Sequence, residues 1–262
     1  DPYVRYAAFN VKKVPCLDIR RAVYFAKDAA GLLQLSGGAA FGGDPADGAI
    51  KPLMGLDYKK VTGLEDYKPA GNATAAKALM EKAKKSCPAE YARVTDPKRG
   101  LVFDTADSET NKKGAAIWID SMMKNAGIVM KFNFIEPGSY YAVVLDATKQ
   151  SDLSAGGWAP DWANASTVIP ELWGEGCCNY TNNKKTPEYA PFIKKVNLAL
   201  VELDRKKQAK MWQELSQYGM DQYWYIRTVF GKSQQTWGSK IGGVYYWEPQ
   251  GSFGFGQIYI KP

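Results

Sequence analysis

The chain has 262 residues, 45% of them apolar, which is enough length and apolar content for a proper core in one large domain or two modest ones. Its net charge of +7 is spread over every segment as lysine pairs, from Lys12-Lys13 to Lys206-Lys207, so it reads as solvated surface and argues against a nucleic-acid footprint. Histidine is absent, which removes the commonest general base and the commonest metal ligand together and weighs against a hydrolase, and no apolar run approaches the roughly eighteen residues of a membrane span.

Tyr3 to Asn10 reads as an incoming strand, an abrupt opening of the kind expected for a chain cut from a larger protein with any export leader gone. After a Lys-Lys-Val-Pro turn, Asp18 predicts the cap of a helix from about Ile19 to Leu35, stopped by Gly37-Gly38. Ala39 to Lys68 is rich in glycine, proline and aspartate and reads as a loop. Asn72 opens a second helix through Lys85 with Ala76, Leu79, Met80 and Ala83 inward. Leu101 to Asp104 is a short strand. Thr110 or Asn111 caps a third helix whose stripe is Ala115, Trp118, Ile119, Met122 and Ala126, with Gly127 at its C′ position. Val129 to Ile135 is the next strand, Tyr140 to Leu145 a short helix, and Leu153 to Trp158 another strand. Two amphipathic helices follow, Glu188 to Leu203 and Arg205 to Tyr218, the second capped by Asp204. From Tyr223 the chain turns strand-like, then glycine- and aromatic-rich. Alternating strands and helices predict an α/β domain with a sheet flanked by helices.

Between these elements the stretch Gly156 to Pro170 stands out. Leu153 to Trp158 ends at Ala-Pro, because proline lacks the N–H a ladder needs, and delivers Asp161 at a strand end with Trp158 and Trp162 on either side. An acid flanked by flat apolar rings is suited to holding a cation or an amine in a partly dry cleft. The same residues also suit an Asx-turn or helix N-cap beside two core aromatics. Other motifs carry less. Gly231-Lys232-Ser233 echoes the end of a phosphate loop, but the upstream glycine position is Ile226 and the run follows a strand. Without histidine a Ser-His-Asp triad cannot form within this chain, and acid pairs such as Glu65-Asp66 sit in loops with no evident partner. Asn72-Ala73-Thr74, Asn164-Ala165-Ser166 and Asn179-Tyr180-Thr181 are formal glycosylation sequences.

Gly157-Trp158-Ala-Pro-Asp161-Trp162-Ala-Asn164 resembles the signature loop of the family 5 extracellular solute-binding proteins, the oligopeptide, dipeptide and nickel binders that feed ABC importers. Tyr6 to Ala26, with Phe9-Asn10, Pro15, Asp18 and Arg20-Arg21 in order, resembles another family segment, and Tyr189 to Phe230 resembles its paired helices and following strand. The resemblance implies the C-terminal half of such a protein, one lobe of a type II periplasmic-binding-protein-like fold. Residues 1–222 would form the ligand-binding lobe and residues 223–262 a crossover tail returning to the missing N-terminal lobe. The Gly-Pro-rich loop near Pro52 would border the cleft.

It further implies an extracytoplasmic substrate-binding component, a lipoprotein or periplasmic, that closes around a small peptide and docks on a membrane permease, with no enzymatic activity and no cofactor. Asp161 stands where the family's aspartate pairs with the peptide α-ammonium. Trp158 would wall the pocket, Trp162 stands where tyrosine is common, and Asn164 completes the ligand-binding set. Ala155 occupies the place of an arginine that some members use for a peptide carboxylate. A non-transport sensor ectodomain, or a metal-chelate or nickel binder of the same family, would share this lobe. For an exported chain, Cys16, Cys87, Cys177 and Cys178 are disulfide candidates. A ring closed between adjacent cysteines is strained, so Cys177 and Cys178 are expected to pair with different partners, Cys87 first among them.

Overall fold

A computed structural model describes residues 1–64, 67–247 and 251–262, so the Glu65-Asp66 pair lies outside the described residues. Val4–Phe9 (β1) is buried at five of its six positions, as befits a strand covered on both faces. Leu17–Ala26 (α1), Ala29–Leu35 (α2) and the short Gly38–Phe41 (α3) follow, then Gly43–Pro45 (β2). Ala73–Ser86 (α4) and Pro88–Val94 (α5) lead to Leu101–Ala106 (β3), Glu109–Ala126 (α6), Met130–Ile135 (β4), Tyr140–Val144 (α7) and Leu153–Trp158 (β5). Ile169–Trp173 (α8), Tyr189–Val201 (α9) and Arg205–Asp221 (α10) precede Tyr225–Gly231 (β6).

The six strands form one mixed sheet in the order β2-β6-β1-β5-β3-β4. β3 runs parallel to β4 and β5, whereas β1 is antiparallel to both β5 and β6. The strands β3, β4, β5 and β6 therefore point the same way, and their carboxyl ends gather on one edge of the lobe together with the start of β1. Helices α1, α4 and α6 pack on one another, and α8 and α9 each pack on α10. The second group centres on fully buried Trp173, Trp212 and Trp224. Phe192 and Trp224 meet edge-on at 5.0 Å there.

One predicted helix, Ile19 to Leu35, is two. Lys27 is extended, and Asp28 restarts the helix by accepting from the Gly31 N–H at 2.8 Å. The carbonyls freed at the break are taken up by distant partners, that of Phe25 by the Asn72 N–H at 2.7 Å and that of Ala26 by the Asn125 amide at 2.8 Å. Cys16, rather than Asp18, precedes the first helical turn. In α6 the cap is Ser108, which accepts from the Asn111 N–H, in place of Thr110 or Asn111. The helix expected to run to Leu203 ends at Val201, and Leu203 beyond it is 95% exposed.

The cysteine pairing corrects the expectation. Cys16 bonds Cys87, and Cys177 bonds its neighbour Cys178. The first bridge joins the start of α1 to the α4–α5 junction, two segments already brought together by α1 packing along α4 and by the Cys16 N–H donating to Glu90 at 2.9 Å. With Cys87 consumed there, the two cysteines of the loop before α9 are left to each other. Helix α5 is a further element that sequence reasoning did not assign.

The first strand of the tail, β6, lies inside the main sheet between β1 and β2. Beyond it, Ile241–Gly242 (β7) pairs with Tyr259–Ile260 (β10), and Tyr246–Trp247 (β8) pairs with Ser252–Phe253 (β9). No helix among the described residues is long and apolar enough to cross a membrane.

Candidate functional site

The shared carboxyl edge of a mixed sheet is where loops can present side chains without breaking the ladder, and open α/β sheets bind their ligands there. A cleft of about 500 Å³ opens along this edge. Thr105 and Ala106 of β3, Ala155 to Gly157 of β5, Thr228 and Val229 of β6, and Tyr3 and Arg5 beside them contribute to its lining. Its apolar wall is Phe103, Trp118 and Phe132; Phe103 stacks on Phe132 at 5.0 Å and meets Trp118 edge-on at 5.4 Å. Tyr6, flat against Tyr225 at 4.0 Å, and Tyr140, whose hydroxyl donates to the Ala155 carbonyl, also face this space. Burial pushes both phenols well above the usual tyrosine range, so both stay neutral donors.

The loop after β5 closes on a residue that sequence reasoning passed over, Thr167. Its hydroxyl donates to Asp161 Oδ2 at 2.7 Å and accepts from the Asp161 N–H at 3.2 Å, while its carbonyl accepts from the Trp158 indole at 2.7 Å. Thr167 is buried, so this clasp is fixed from beneath. Trp158 packs half-buried against the core, whereas Trp162 is 58% exposed with its indole donating to Ser166 Oγ at 3.3 Å. Asp161 itself is exposed, and among the described residues its second carboxylate oxygen has no partner. Neither the Asx-turn nor the N-cap role falls to Asp161. Asn164 is the cap: its Oδ1 accepts from the Ser166 N–H at 2.9 Å and its amide donates to Gln208 at 3.0 Å.

A second anchor comes from far away in sequence. Asp57, completely buried, accepts from the Ala165 N–H at 2.7 Å and pairs with Arg205 at the start of α10 at 2.6 Å. The loop is thus tied both to the segment before α4 and to α10. Residues 155–157 line the cleft itself; Trp158, Asp161, Trp162 and Asn164 stand outside its lining, on the continuation of the same strand. Among the described residues no three histidine, cysteine, aspartate or glutamate side chains gather as a metal ion would require.

No family model matches the chain, and no curated protein matches it. Solved structures do. The chain is similar throughout its length to a clavulanic acid biosynthesis oligopeptide binding protein, at TM-score 0.81 and 17% identity, covering 47% of that protein. Similarity to the Escherichia coli murein tripeptide binding protein MppA has TM-score 0.77 and 18% identity, covering 99% of this chain and 48% of that one. Similarity to Haemophilus influenzae OppA, solved in complex with the peptide RPPGFSPFR, has TM-score 0.76 and 17% identity, again covering 99% of this chain and 48% of that one. The chain spans about half the length of these proteins and has the fold of that half, a periplasmic-binding-protein-like lobe.

Proposed function

We propose that the chain is part of the extracytoplasmic substrate-binding component of an ABC importer, a periplasmic protein or surface lipoprotein, and that it captures oligopeptides by their free amino terminus. The observation that carries this reading is Asp161: an exposed carboxylate at a strand end, clasped by Thr167 through one oxygen only, with Trp158 and Trp162 beside it and an apolar cleft along the same edge. The other oxygen and the two rings are suited to a primary ammonium, which would gain a charge-assisted hydrogen bond and a flat apolar surround. The three described neighbours, named for oligopeptide and murein tripeptide binding or solved with a peptide, support the choice of ligand class. A two-lobed closure that removes water would strengthen the contact, and docking of the closed form on a permease would follow.

The test is calorimetry of the intact protein against a di- to hexapeptide library, with and without N-terminal acetylation. Free-amine peptides are expected to bind, and both acetylation and Asp161→Ala are expected to weaken binding tenfold or more, equivalent to about 1.4 kcal/mol. Binding that ignores acetylation and the substitution would reduce Asp161 to a loop residue.

A further inference from the structure

The cleft is one-signed in charge. No aspartate or glutamate is part of its lining, and its two cations differ sharply in setting: Arg5 is exposed near the start of β1, whereas Lys27 is 1% exposed. Lys27 occupies the break between α1 and α2, so its side chain leaves the helix axis for the sheet, where the ammonium donates to the Arg227 carbonyl of β6. Beyond it lies a second buried cation. β6 carries a bulge opposite Arg5 and Tyr6, where Thr228 is the extra residue. At this irregularity Arg227 directs its guanidinium to the Tyr24 hydroxyl of α1 at 2.8 Å from Nε, while its Nη1 has no hydrogen-bond partner. The Tyr24 ring lies under both charges, 5.6 Å from the Lys27 ammonium and 5.3 Å from the guanidinium.

Among the described residues no carboxylate pairs with either cation. The adjacent Asp28 commits Oδ1 to capping α2, and burial pushes the Tyr24 phenol up, so neither it nor Tyr67 beyond Arg227 supplies negative charge. A lysine buried beside a second cation with no ion-pair partner among the described residues is unfavourable in either protonation state, and an apolar residue at position 27 would avoid that cost.

We infer that Lys27 is an anion-recognition residue, and that this end of the cleft receives a carboxylate carried by the ligand while the Phe103, Trp118 and Phe132 wall holds the apolar part attached to it. Resting on the peptide reading above, this makes acidic peptides the preferred cargo: a free amine toward Asp161 and a side-chain carboxylate toward Lys27, with Arg5 drawing the anion in. Burial, with Arg227 second, holds the Lys27 ammonium down to about 7, so near neutral pH a fraction of the protein carries it deprotonated. An arriving carboxylate favours the charged form, and a proton is taken up on binding.

The experiment titrates the intact protein with Ala-Glu-Ala and Ala-Gln-Ala, which differ by a single charge, at pH 7.5 in buffers of different ionisation enthalpy, and repeats it with phenylacetate. The expected result is tenfold or greater preference for the glutamate peptide, proton uptake with that peptide in excess of the uptake that the shared α-amine gives with both, and loss of the preference and of the excess in Lys27→Met. Should that variant fail to fold, the difference in proton uptake between the two peptides with the unsubstituted protein decides. Equal binding of both peptides with equal proton uptake overturns the inference and leaves the peptide reading standing. Silence with both peptides beside Lys27-dependent phenylacetate binding overturns the peptide reading and keeps the carboxylate site. No binding of any of the three overturns both.

Discussion

Gly156 and Gly157 are neighbours with opposite reasons for being glycine. A β-carbon at Gly156 would come within 2.3 Å of the Tyr6 ring and 3.0 Å of the Tyr180 ring, whereas at Gly157 the nearest atom would be 3.6 Å away. The Tyr6 ring cannot simply retreat, because it is sandwiched flat on Tyr225 at 4.0 Å. Gly156→Ala is therefore an overpacking substitution expected to cost about 1–3 kcal/mol, while Gly157→Ala should cost less than about 1 kcal/mol or be neutral. Urea unfolding of both variants checks this; a larger loss at Gly157 would show that Tyr6 yields and that the crowding is not what holds this wall of the cleft. The asymmetry bears on function because the same strand ends at Trp158 and leads into the loop that holds Asp161.

At the scale of elements, the two disulfides should behave unlike one another. Cys16–Cys87 closes a span of 71 residues that includes all of α1 and α4, whereas Cys177–Cys178 closes none. Replacing Cys16 and Cys87 by alanine is expected to lower stability by roughly 2–4 kcal/mol through the freed unfolded chain, and the same change at Cys177 and Cys178 by much less, as read from urea midpoints. Comparable losses would mean that the short ring holds the loop before α9 in place. The pairing itself was not legible in the sequence, because it depends on α1 lying along α4, a long-range contact that spacing does not encode. What was legible follows local rules. β5 begins and ends where its composition and the Ala-Pro pair require, α4 begins at Asn72, and Gly127 is left-handed at the end of α6, with φ of 66°. The α1–α2 break was missed because its apolar period runs straight through Lys27; only Asp28, a good N-cap, signalled it. Likewise the candidate loop was legible as an acid between two tryptophans. Its anchors Thr167 and Asp57 were not, since a threonine or aspartate in a loop shows no period and reveals its role only when the fold brings its partner.

At the scale of the molecule, the edge that carries the cleft leaves large aromatic side chains open to water, and so does the tail. Trp162 is 58% exposed there and Tyr141 61%, and in the tail Trp237, Phe255, Tyr259 and Ile260 are all more than half exposed. Apolar surface of that extent is unfavourable in water unless something covers it, and the chain spans about half the length of the solved proteins it resembles in fold. On the proposed reading the covering wall is the other lobe, and an extended peptide would draw part of its main-chain hydrogen bonding from that side. Residues 1–262 alone would then leave a bound peptide half in water, where an ammonium–carboxylate contact is worth far less than in a closed, dry cleft. Peptide affinity of the isolated chain is accordingly expected to fall at least a hundredfold below that of the intact protein, about 2.7 kcal/mol, by calorimetry on the two side by side. Equal affinity would place the whole binding energy in this lobe and make the Asp161 loop and the cleft beside it a self-sufficient site.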